Sequence, residues 1–284
     1  MWAKIISRYV LVPVAVVFAL NACQTGGPPR TSLKLADEGT FAFPGVDNYW
    51  KGNTSNLSGT LLFPNSVASN VKLPLMVILH GSSGQDFRDS TWSDFLNENG
   101  IATFQLDYFS GRGLSSASRG GPETPADVYS ALRVLKTHPR IDASKISIMG
   151  FSRGGMLTLR AVGYDTEETG GVVPAAFIAI YPGCGFLQMS KDMPDQPILI
   201  LNGEEDTRSS ANQCRFVEKQ AEELGKNNIK IVIYPGVAHG FDGNKMGTVH
   251  DGTQTIFLTP SGTVTEAARK EVIQLLKKAY ARGA

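Results

Sequence analysis

The chain has 284 residues, with 27 basic and 26 acidic side chains, and its apolar and charged fractions of 42% and 19% are those of an ordinary globular protein. This even balance of charge, together with the lack of a long basic run in the sequence, excludes the usual electrostatic signature of a nucleic-acid-binding surface. A chain of this length fits one large α/β domain or two small ones.

The N-terminal segment, residues 1–22, differs from the rest of the chain and predicts a secretory signal peptide. Lys4 and Arg8 precede an apolar run at residues 10–20, and small residues follow it. The run is too short to cross a bilayer, because a spanning helix needs about twenty residues. We therefore expect the chain to be exported and this segment to be removed.

Cys23 ends a Leu-Asn-Ala-Cys sequence at residues 20–23 that resembles the lipobox of bacterial lipoproteins. In that family the signal peptide is cleaved before the cysteine, which is then acylated, and Gln24 at the next position favours the outer membrane. The resemblance implies a periplasmic protein that contacts a membrane only through its lipid anchor. An ordinary signal peptide with an incidental Cys23 is the alternative.

The segment at residues 23–34 predicts a flexible tether, because its Gly-Gly-Pro-Pro stretch cannot continue a helix or a strand. The sequence shows no internal repeat and no second change of composition after it. Residues 35–284 are therefore expected to form a single domain.

Short apolar runs bounded by Gly or Pro alternate with longer stretches of mixed polarity. The runs predict buried strands at residues 59–63, 75–79, 101–106, 146–149, 176–181, 198–201 and 229–234. The longer stretches predict helices at residues 91–99, 125–137, 153–162, 211–226 and 264–281, with Thr263 and Glu266 as a capping box for the last helix. This alternation predicts an α/β fold, a mostly parallel sheet flanked by helices on both faces.

Residues 150–154 (Gly-Phe-Ser-Arg-Gly) have the form G-x-S-x-G and lie between a predicted strand and a predicted helix. The motif alone is weak, but a sharp strand–turn–helix displays the serine hydroxyl, and the flanking glycines avoid collisions with neighbouring backbone. The start of the helix also directs amide groups and a positive dipole toward a developing oxyanion. Ser152 is therefore the predicted nucleophile.

A serine nucleophile needs a general base, and the base needs an acid that orients it. His239 is the predicted base, because of the four histidines it alone follows Ser152 in a loop directly after a predicted strand. Asp206 is the predicted acid, since it follows the end of another strand and precedes the base in the chain. Glu204, Glu205 and Asp242 are rivals for the acid, and the sequence alone does not separate them.

Two backbone amides are expected to hold the oxyanion, one after the nucleophile and one from the loop after an earlier strand. These positions are Arg153 and Ser82. Cys184 and Cys214 have no neighbouring ligands at metal-binding spacing, so in an oxidising compartment they predict a disulfide, with two separate buried thiols as the alternative.

Several further motifs make a family resemblance specific. They are residues 79–81 (Leu-His-Gly) with Gly84, residues 107–109 (Asp-Tyr-Phe) with Arg112 and Gly113, residues 150–155, residues 203–206, and residues 234–236 (Tyr-Pro-Gly) with 239–242 (His-Gly-Phe-Asp). From about residue 57 to the end, the chain resembles the dienelactone hydrolase-like branch of the α/β-hydrolase superfamily. The resemblance implies the α/β-hydrolase fold, a triad of Ser152, Asp206 and His239, and a disulfide between Cys184 and Cys214.

Two departures from that family affect the expected activity. Dienelactone hydrolases themselves use a cysteine nucleophile, where this chain has Ser152, and carry a glutamate where it has Gly81. The sequence therefore predicts a carboxylesterase-type serine hydrolase that acts on a small-molecule ester without a metal or an organic cofactor. A peptidase or thioesterase of the same fold and a non-catalytic envelope lipoprotein are the alternatives; the sequence does not indicate an oligomeric state.

Overall fold

One eight-stranded sheet organises the chain in a computed structural model that describes residues 28–45, 56–65, 67–116, 124–164, 170–187, 189–250 and 255–282. The strands are β1 (Gly39–Pro44), β2 (Asn56–Leu62), β3 (Leu73–Leu79), β4 (Ala102–Asp107), β5 (Ile141–Phe151), β6 (Phe177–Ile180), β7 (Ile198–Gly203) and β8 (Ile229–Tyr234). Their order in the sheet is β1-β2-β4-β3-β5-β6-β7-β8.

The sheet is mostly parallel, as predicted. Strands β4, β3, β5, β6, β7 and β8 are all paired in parallel, whereas β1 and β2 and then β2 and β4 pair antiparallel. The parallel strands therefore end at one shared edge, where α/β sheets carry their ligands and catalytic groups.

Helices cover both faces of the sheet. They are α1 (Phe87–Glu98), α2 (Pro125–Leu135), α3 (Arg153–Ala161), α4 (Ala211–Glu223) and α5 (Gly262–Arg282). Side chains of α2, α3 and α4 pack into the core on one face, and side chains of α1 and α5 pack into the core on the other. Strand β3 serves both cores, since Leu75 and Val77 point into the first and Met76 and Ile78 into the second.

The start of α5 differs from the prediction. The helix begins at Gly262, and the Ser261 hydroxyl accepts a hydrogen bond from the Val264 amide at 3.3 Å. Ser261 therefore takes the capping role that the sequence assigned to Thr263, and the Thr263–Glu266 capping box is wrong.

The N-terminal boundary of the domain also differs from the prediction at residue 35. The amide of Arg30 donates to the Ala42 carbonyl at 2.8 Å, and the amide of Leu33 donates to the Thr137 hydroxyl at 2.8 Å. The Leu33 side chain is buried in the core. Contacts with the domain therefore begin at least five residues earlier than expected, at Arg30, and Leu33 of the predicted tether is packed into the core.

Strand β1 and a second, two-stranded sheet, β9 (Gly247–His250) with β10 (Thr255–Leu258), were not predicted. This two-stranded ribbon of β9 and β10 is attached to the main domain by a β-bridge between His239 and Leu258. Among the helices that the structure describes, none has both the length and the apolar character to span a bilayer. The predicted signal peptide and Cys23 lie outside the described residues.

Candidate active site

Ser152 lies in the sharp turn between β5 and α3, at the shared edge of the parallel strands. Its φ of 51° is in the left-handed region, which a non-glycine residue rarely occupies. A side chain on Gly150 would come within 2.2 Å of the Gly154 carbonyl, and one on Gly154 would come within 2.1 Å of the Leu79 carbonyl. Both flanking positions therefore require glycine, and the tight turn leaves Ser152 partly exposed.

His239 reaches Ser152 from the loop after β8. Its Nε2 atom is 2.9 Å from the Ser152 hydroxyl, and its Nδ1 atom is 2.7 Å from a carboxylate oxygen of Asp206. His239 is 6% exposed, so its ring is largely shielded from water. The structure thus brings an alcohol, an imidazole and a carboxylate into one continuous hydrogen-bonded chain across segments 87 and 33 positions apart.

Asp206 is fixed by the backbone that follows it. Its Oδ1 atom accepts hydrogen bonds from the amides of Arg208 and Ser209, each at 2.8 Å, while Oδ2 faces His239. The carboxylate is fully buried and both its oxygens are used. Asp206 can therefore orient the imidazole so that Nδ1 carries the proton and Nε2 faces the serine.

The rival acids lie elsewhere. Glu204 is exposed and pairs with Arg215 at 2.7 Å, and Glu205 is exposed as well. Asp242 is buried, and its two oxygens accept hydrogen bonds from Tyr181 at 2.6 Å and from Trp92 at 2.8 Å. Asp242 is therefore neither the partner of His239 nor a solvated surface charge.

The two residues expected to form the oxyanion hole flank Ser152. Ser82 lies in the turn after β3, which a hydrogen bond from the Gly84 amide to the Gly81 carbonyl closes at 3.2 Å, and Arg153 is the first residue of α3. The guanidinium Nε of Arg153 donates to the Ser82 hydroxyl at 3.3 Å. This contact joins the turn after β3 to the start of α3.

Residues behind His239 were not recognised as part of the site. The ring of Tyr181, directly after β6, lies 4.7 Å from the His239 ring, centroid to centroid, and is inclined to it by 60°, and its hydroxyl donates to Asp242. Burial raises the pKa of Asp242, whereas the positive charge of Arg88 and the hydrogen bonds from Tyr181 and Trp92 oppose that rise. The one sequence signal for this group of contacts around Asp242 is the position of Asp242 itself, close after the predicted base.

Cys184 and Cys214 form a disulfide, with their Cα atoms 5.1 Å apart. The bond joins the loop after β6, which follows Tyr181, to α4, which follows the loop that carries Asp206. Among the described residues, no group of three or more His, Cys, Asp or Glu side chains is arranged to hold a metal ion.

The sequence model of the dienelactone hydrolase family matches residues 115–279, more than half of the chain. The chain belongs to the dienelactone hydrolase family. The matched region contains Ser152, Asp206 and His239, whereas Ser82 precedes it. The sheet order and the two helical layers show the α/β-hydrolase fold that is expected of this family.

Curated relatives of this dienelactone hydrolase family member are distant in sequence. The uncharacterized peptidase YuxL of Bacillus subtilis is 23% identical over 242 residues, which cover 72% of this chain and 37% of that protein. Acyl-protein thioesterase 1 of Debaryomyces hansenii is 28% identical over 138 residues, which cover 42% of this chain and 56% of the relative. The chain thus spans between a third and about half of the length of these relatives.

A solved structure extends the likeness across most of the fold. Esterase 2 of the planctomycete Thermogutta terrifontis, with propionate bound, has a TM-score of 0.60 to this dienelactone hydrolase family member. The two sequences are 18% identical, and the match covers 86% of this chain and 95% of the esterase. At 18% identity, this similarity shows a shared fold and does not extend to function.

Proposed function

We propose that this protein is a serine hydrolase that cleaves ester bonds of small molecules, with Ser152 as nucleophile, His239 as general base and Asp206 as the orienting acid. The observation that carries the proposal is the hydrogen-bonded chain from the Ser152 hydroxyl through His239 to Asp206, at 2.9 and 2.7 Å. Membership of a hydrolase family and the fold shared with an esterase support it.

The reaction that this arrangement supports is acyl transfer in two steps. Ser152 Oγ attacks the ester carbonyl while His239 Nε2 takes its proton, and the protonated imidazole then gives that proton to the leaving alcohol. Water attacks the acyl-enzyme by the same route and releases the carboxylic acid. Asp206 holds the imidazole in one tautomer and stabilises its positive charge during both steps.

The oxyanion that forms at the carbonyl oxygen is proposed to bind the backbone amides of Arg153 and Ser82. The Arg153 amide stands at the start of α3, where the helix dipole favours negative charge. Because both donors are backbone groups, we expect replacement of the side chain at either position to affect turnover less than loss of Ser152. This chemistry requires neither a metal nor an organic cofactor.

Replacement of Ser152 tests the proposal. We expect Ser152→Ala to lower kcat for a p-nitrophenyl ester by about 10⁴-fold or more, as loss of a triad nucleophile does. The wild-type protein should also take up a fluorophosphonate probe, and mass spectrometry should locate the probe on Ser152. Because Ser152→Ala removes only one oxygen atom, its circular dichroism spectrum should match that of the wild type.

Full ester turnover by Ser152→Ala would contradict the assignment. A wild-type protein that neither turns over esters nor reacts with the fluorophosphonate would favour the other interpretation, an envelope lipoprotein that keeps the fold without catalysis.

A different scissile bond within the same mechanism is the second candidate. The names of the curated relatives, a peptidase and an acyl-protein thioesterase, favour amide or thioester substrates. A panel of matched p-nitrophenyl ester, thioester and amino-acyl p-nitroanilide substrates would separate the three. Our proposal expects the highest kcat/KM for the ester.

We also propose that the enzyme acts outside the cytoplasm, on the periplasmic side of a bacterial envelope. The signal-like segment at residues 1–22 and the lipobox-like sequence ending at Cys23 support export and lipid anchoring, with the outer membrane as the destination that Gln24 favours. The disulfide between Cys184 and Cys214 supports an oxidising compartment. The proposed partner is a small-molecule ester, with no nucleic acid involved.

A further inference from the structure

A buried polar network lies behind His239, and the reaction proposed above does not use it. We call it the support cluster and define it as Arg88, Trp92, Tyr181 and Asp242. Both carboxylate oxygens of Asp242 are occupied, by the Tyr181 hydroxyl at 2.6 Å and by the Trp92 indole at 2.8 Å. The Arg88 guanidinium donates to the same Tyr181 hydroxyl at 3.5 Å. Three elements of the fold therefore meet at one carboxylate.

The support cluster costs folding free energy, through a buried carboxylate and a strained backbone conformation. This cost indicates a role beyond filling the core. Asp242 is 8% exposed, and a carboxylate removed from water is tolerated only when it is well bonded. Tyr181 has a φ of 39°, and among the described residues Ser152 is the only other non-glycine residue with a positive φ. Backbone strain of this kind persists where the surrounding structure enforces it, and it concentrates at functional sites.

The cluster holds the loop that carries His239. Asp242 comes three positions after His239, so fixing its carboxylate fixes the same short loop. Gly240, which lies between them with a φ of 66°, runs close to Arg88: a side chain there would come within 3.7 Å of its guanidinium. The Tyr181 ring itself lies against the His239 ring at 4.7 Å, inclined by 60°.

Tyr181 also connects this loop to the strand framework beside the nucleophile. Its amide donates to the Leu201 carbonyl at 2.6 Å, and the carbonyl of the preceding residue, Ile180, accepts the Ser152 amide at 2.9 Å. Consecutive residues of one segment thus fix Ser152 and support His239. A shift of Tyr181 would change the distance between these two groups.

We propose that Tyr181 and Asp242 are positioning residues for His239, which keep its imidazole aligned between Ser152 and Asp206 during proton transfer. The inference rests on the proposed function, since it assumes that His239 is the base. The proposal gives neither residue a contact with the substrate, because Tyr181 has no exposed surface and both carboxylate oxygens of Asp242 are occupied by Tyr181 and Trp92. Their loss should therefore lower kcat and leave KM nearly unchanged.

Tyr181→Phe is the direct test, because it keeps the ring and removes the hydroxyl that binds Asp242. We expect kcat for p-nitrophenyl acetate to fall about tenfold or more while KM changes less than about twofold, the pattern of a misplaced catalytic group. The matched control is Tyr129→Phe, which also removes a buried hydroxyl, one that donates to the Ala161 carbonyl at 2.9 Å on the far side of the sheet. Both variants should lose stability, and only Tyr181→Phe should lose kcat.

A double variant provides a second test. If Tyr181 acts through the orientation of His239, its effect on kcat should depend on Asp206, whereas a purely structural effect should be the same in both backgrounds. In an Asp206→Asn background the imidazole is already poorly oriented, so adding Tyr181→Phe should lower kcat much less than it does in the wild type. If Tyr181→Phe does not fold, Asp242→Asn, which keeps the shape of the side chain and replaces one of its two acceptors, should give the same selective loss of kcat.

The outcomes separate this inference from the proposed function. A wild-type protein without esterase activity or Ser152 labelling overturns the proposed function, and the positioning role with it. An active wild type whose kcat is lowered equally by Tyr181→Phe and Tyr129→Phe, or by neither, overturns the positioning role alone. Equal effects of Tyr181→Phe in the wild type and in the Asp206→Asn background would do the same.

Discussion

Asp89, the third residue of α1, has a side-chain carboxyl group whose ionisation is controlled by burial. It is 2% exposed, and one of its oxygens accepts the Asp86 amide at 2.8 Å to complete a capping box. Burial raises its pKa to about 7, and the negative charge of Asp86 adds to the rise, while the hydrogen bond from the Asp86 amide and the charge of Arg88 oppose it. Near neutral pH, Asp89 is therefore only partly ionised.

This raised pKa predicts a pH-dependent stability. In the unfolded chain Asp89 loses its proton near pH 4, but in the folded protein it keeps the proton until about pH 7. The contribution of Asp89 to the stability of the folded state is thus most favourable below pH 4, and it falls as the pH rises from about 4 to about 7. Asp89→Asn, which keeps an acceptor for the Asp86 amide, should remove this loss.

We expect Asp89→Asn to stabilise the protein at pH 8 by the order of 2 to 4 kcal/mol, at about 1.4 kcal/mol for each unit of pKa shift. Urea unfolding between pH 4 and pH 8 measures the effect, with Asp94→Asn, an exposed position on the same helix, as the control. Parallel pH profiles for the wild type and Asp89→Asn would refute the assignment of the raised pKa to Asp89.

The positions of the proposed nucleophile and base in the fold could be predicted residue by residue, but the surroundings of the site could not. The position of Ser152 follows from local chemistry, because only glycines fit beside it, and the position of His239 follows from the order of elements. The burial and hydrogen bonding of Asp242 depend on Trp92, 150 positions away, and on Tyr181, 61 positions away. No local pattern distinguishes an exposed aspartate from one that long-range contacts bury.

At the scale of elements, continuous apolar runs predicted seven of the eight strands in the main sheet, because strands buried on both faces leave a clear signal. The eighth strand, β1, has only a short apolar stretch before Pro44, and it is stabilised by pairing with β2 rather than by its own pattern. The ribbon of β9 and β10 was missed because β9 is exposed throughout and has no apolar periodicity.

The disulfide ties two of these elements together and predicts a measurable loss when it is removed. It closes a loop of 30 positions between the segment after β6 and α4, which corresponds to about 3 to 4 kcal/mol of stability by the loss of freedom in the unfolded chain. We expect the double variant Cys184→Ser/Cys214→Ser to lose about this much in urea unfolding. Dithiothreitol should destabilise the wild type and leave the double variant unchanged.

A wild-type protein whose unfolding midpoint is the same with and without the reductant would argue against a disulfide that forms in solution. Because the bond joins the segment after Tyr181 to the helix after Asp206, its loss should also lower esterase activity before global unfolding begins.

At the scale of the whole molecule, the N-terminal signal predicts where the protein resides. Expressed with its native N-terminus in a Gram-negative host, the wild type should partition into the detergent phase and carry acyl chains on Cys23. Cys23→Ser should instead be recovered without lipid. A wild-type protein recovered as a lipid-free periplasmic species would favour an ordinary signal peptide, and retention in the cytoplasm would contradict export.

The attachment of the N-terminal segment has a consequence for how such an enzyme would face its surroundings. Leu33 and Asp37 bind Thr137 and His138, just before β5 begins, whereas Ser152 stands immediately beyond the other end of that strand. On the neighbouring strand β3, the residues that pair with Ile141 and Gly150 are Leu73 and Leu79, so roughly 20 Å of strand separates the two ends of β5. In a molecule anchored through a lipid on Cys23, as proposed above, this arrangement would hold Ser152 away from the bilayer. It would then meet esters that diffuse through the aqueous space, and acyl chains still embedded in the same leaflet would remain out of reach.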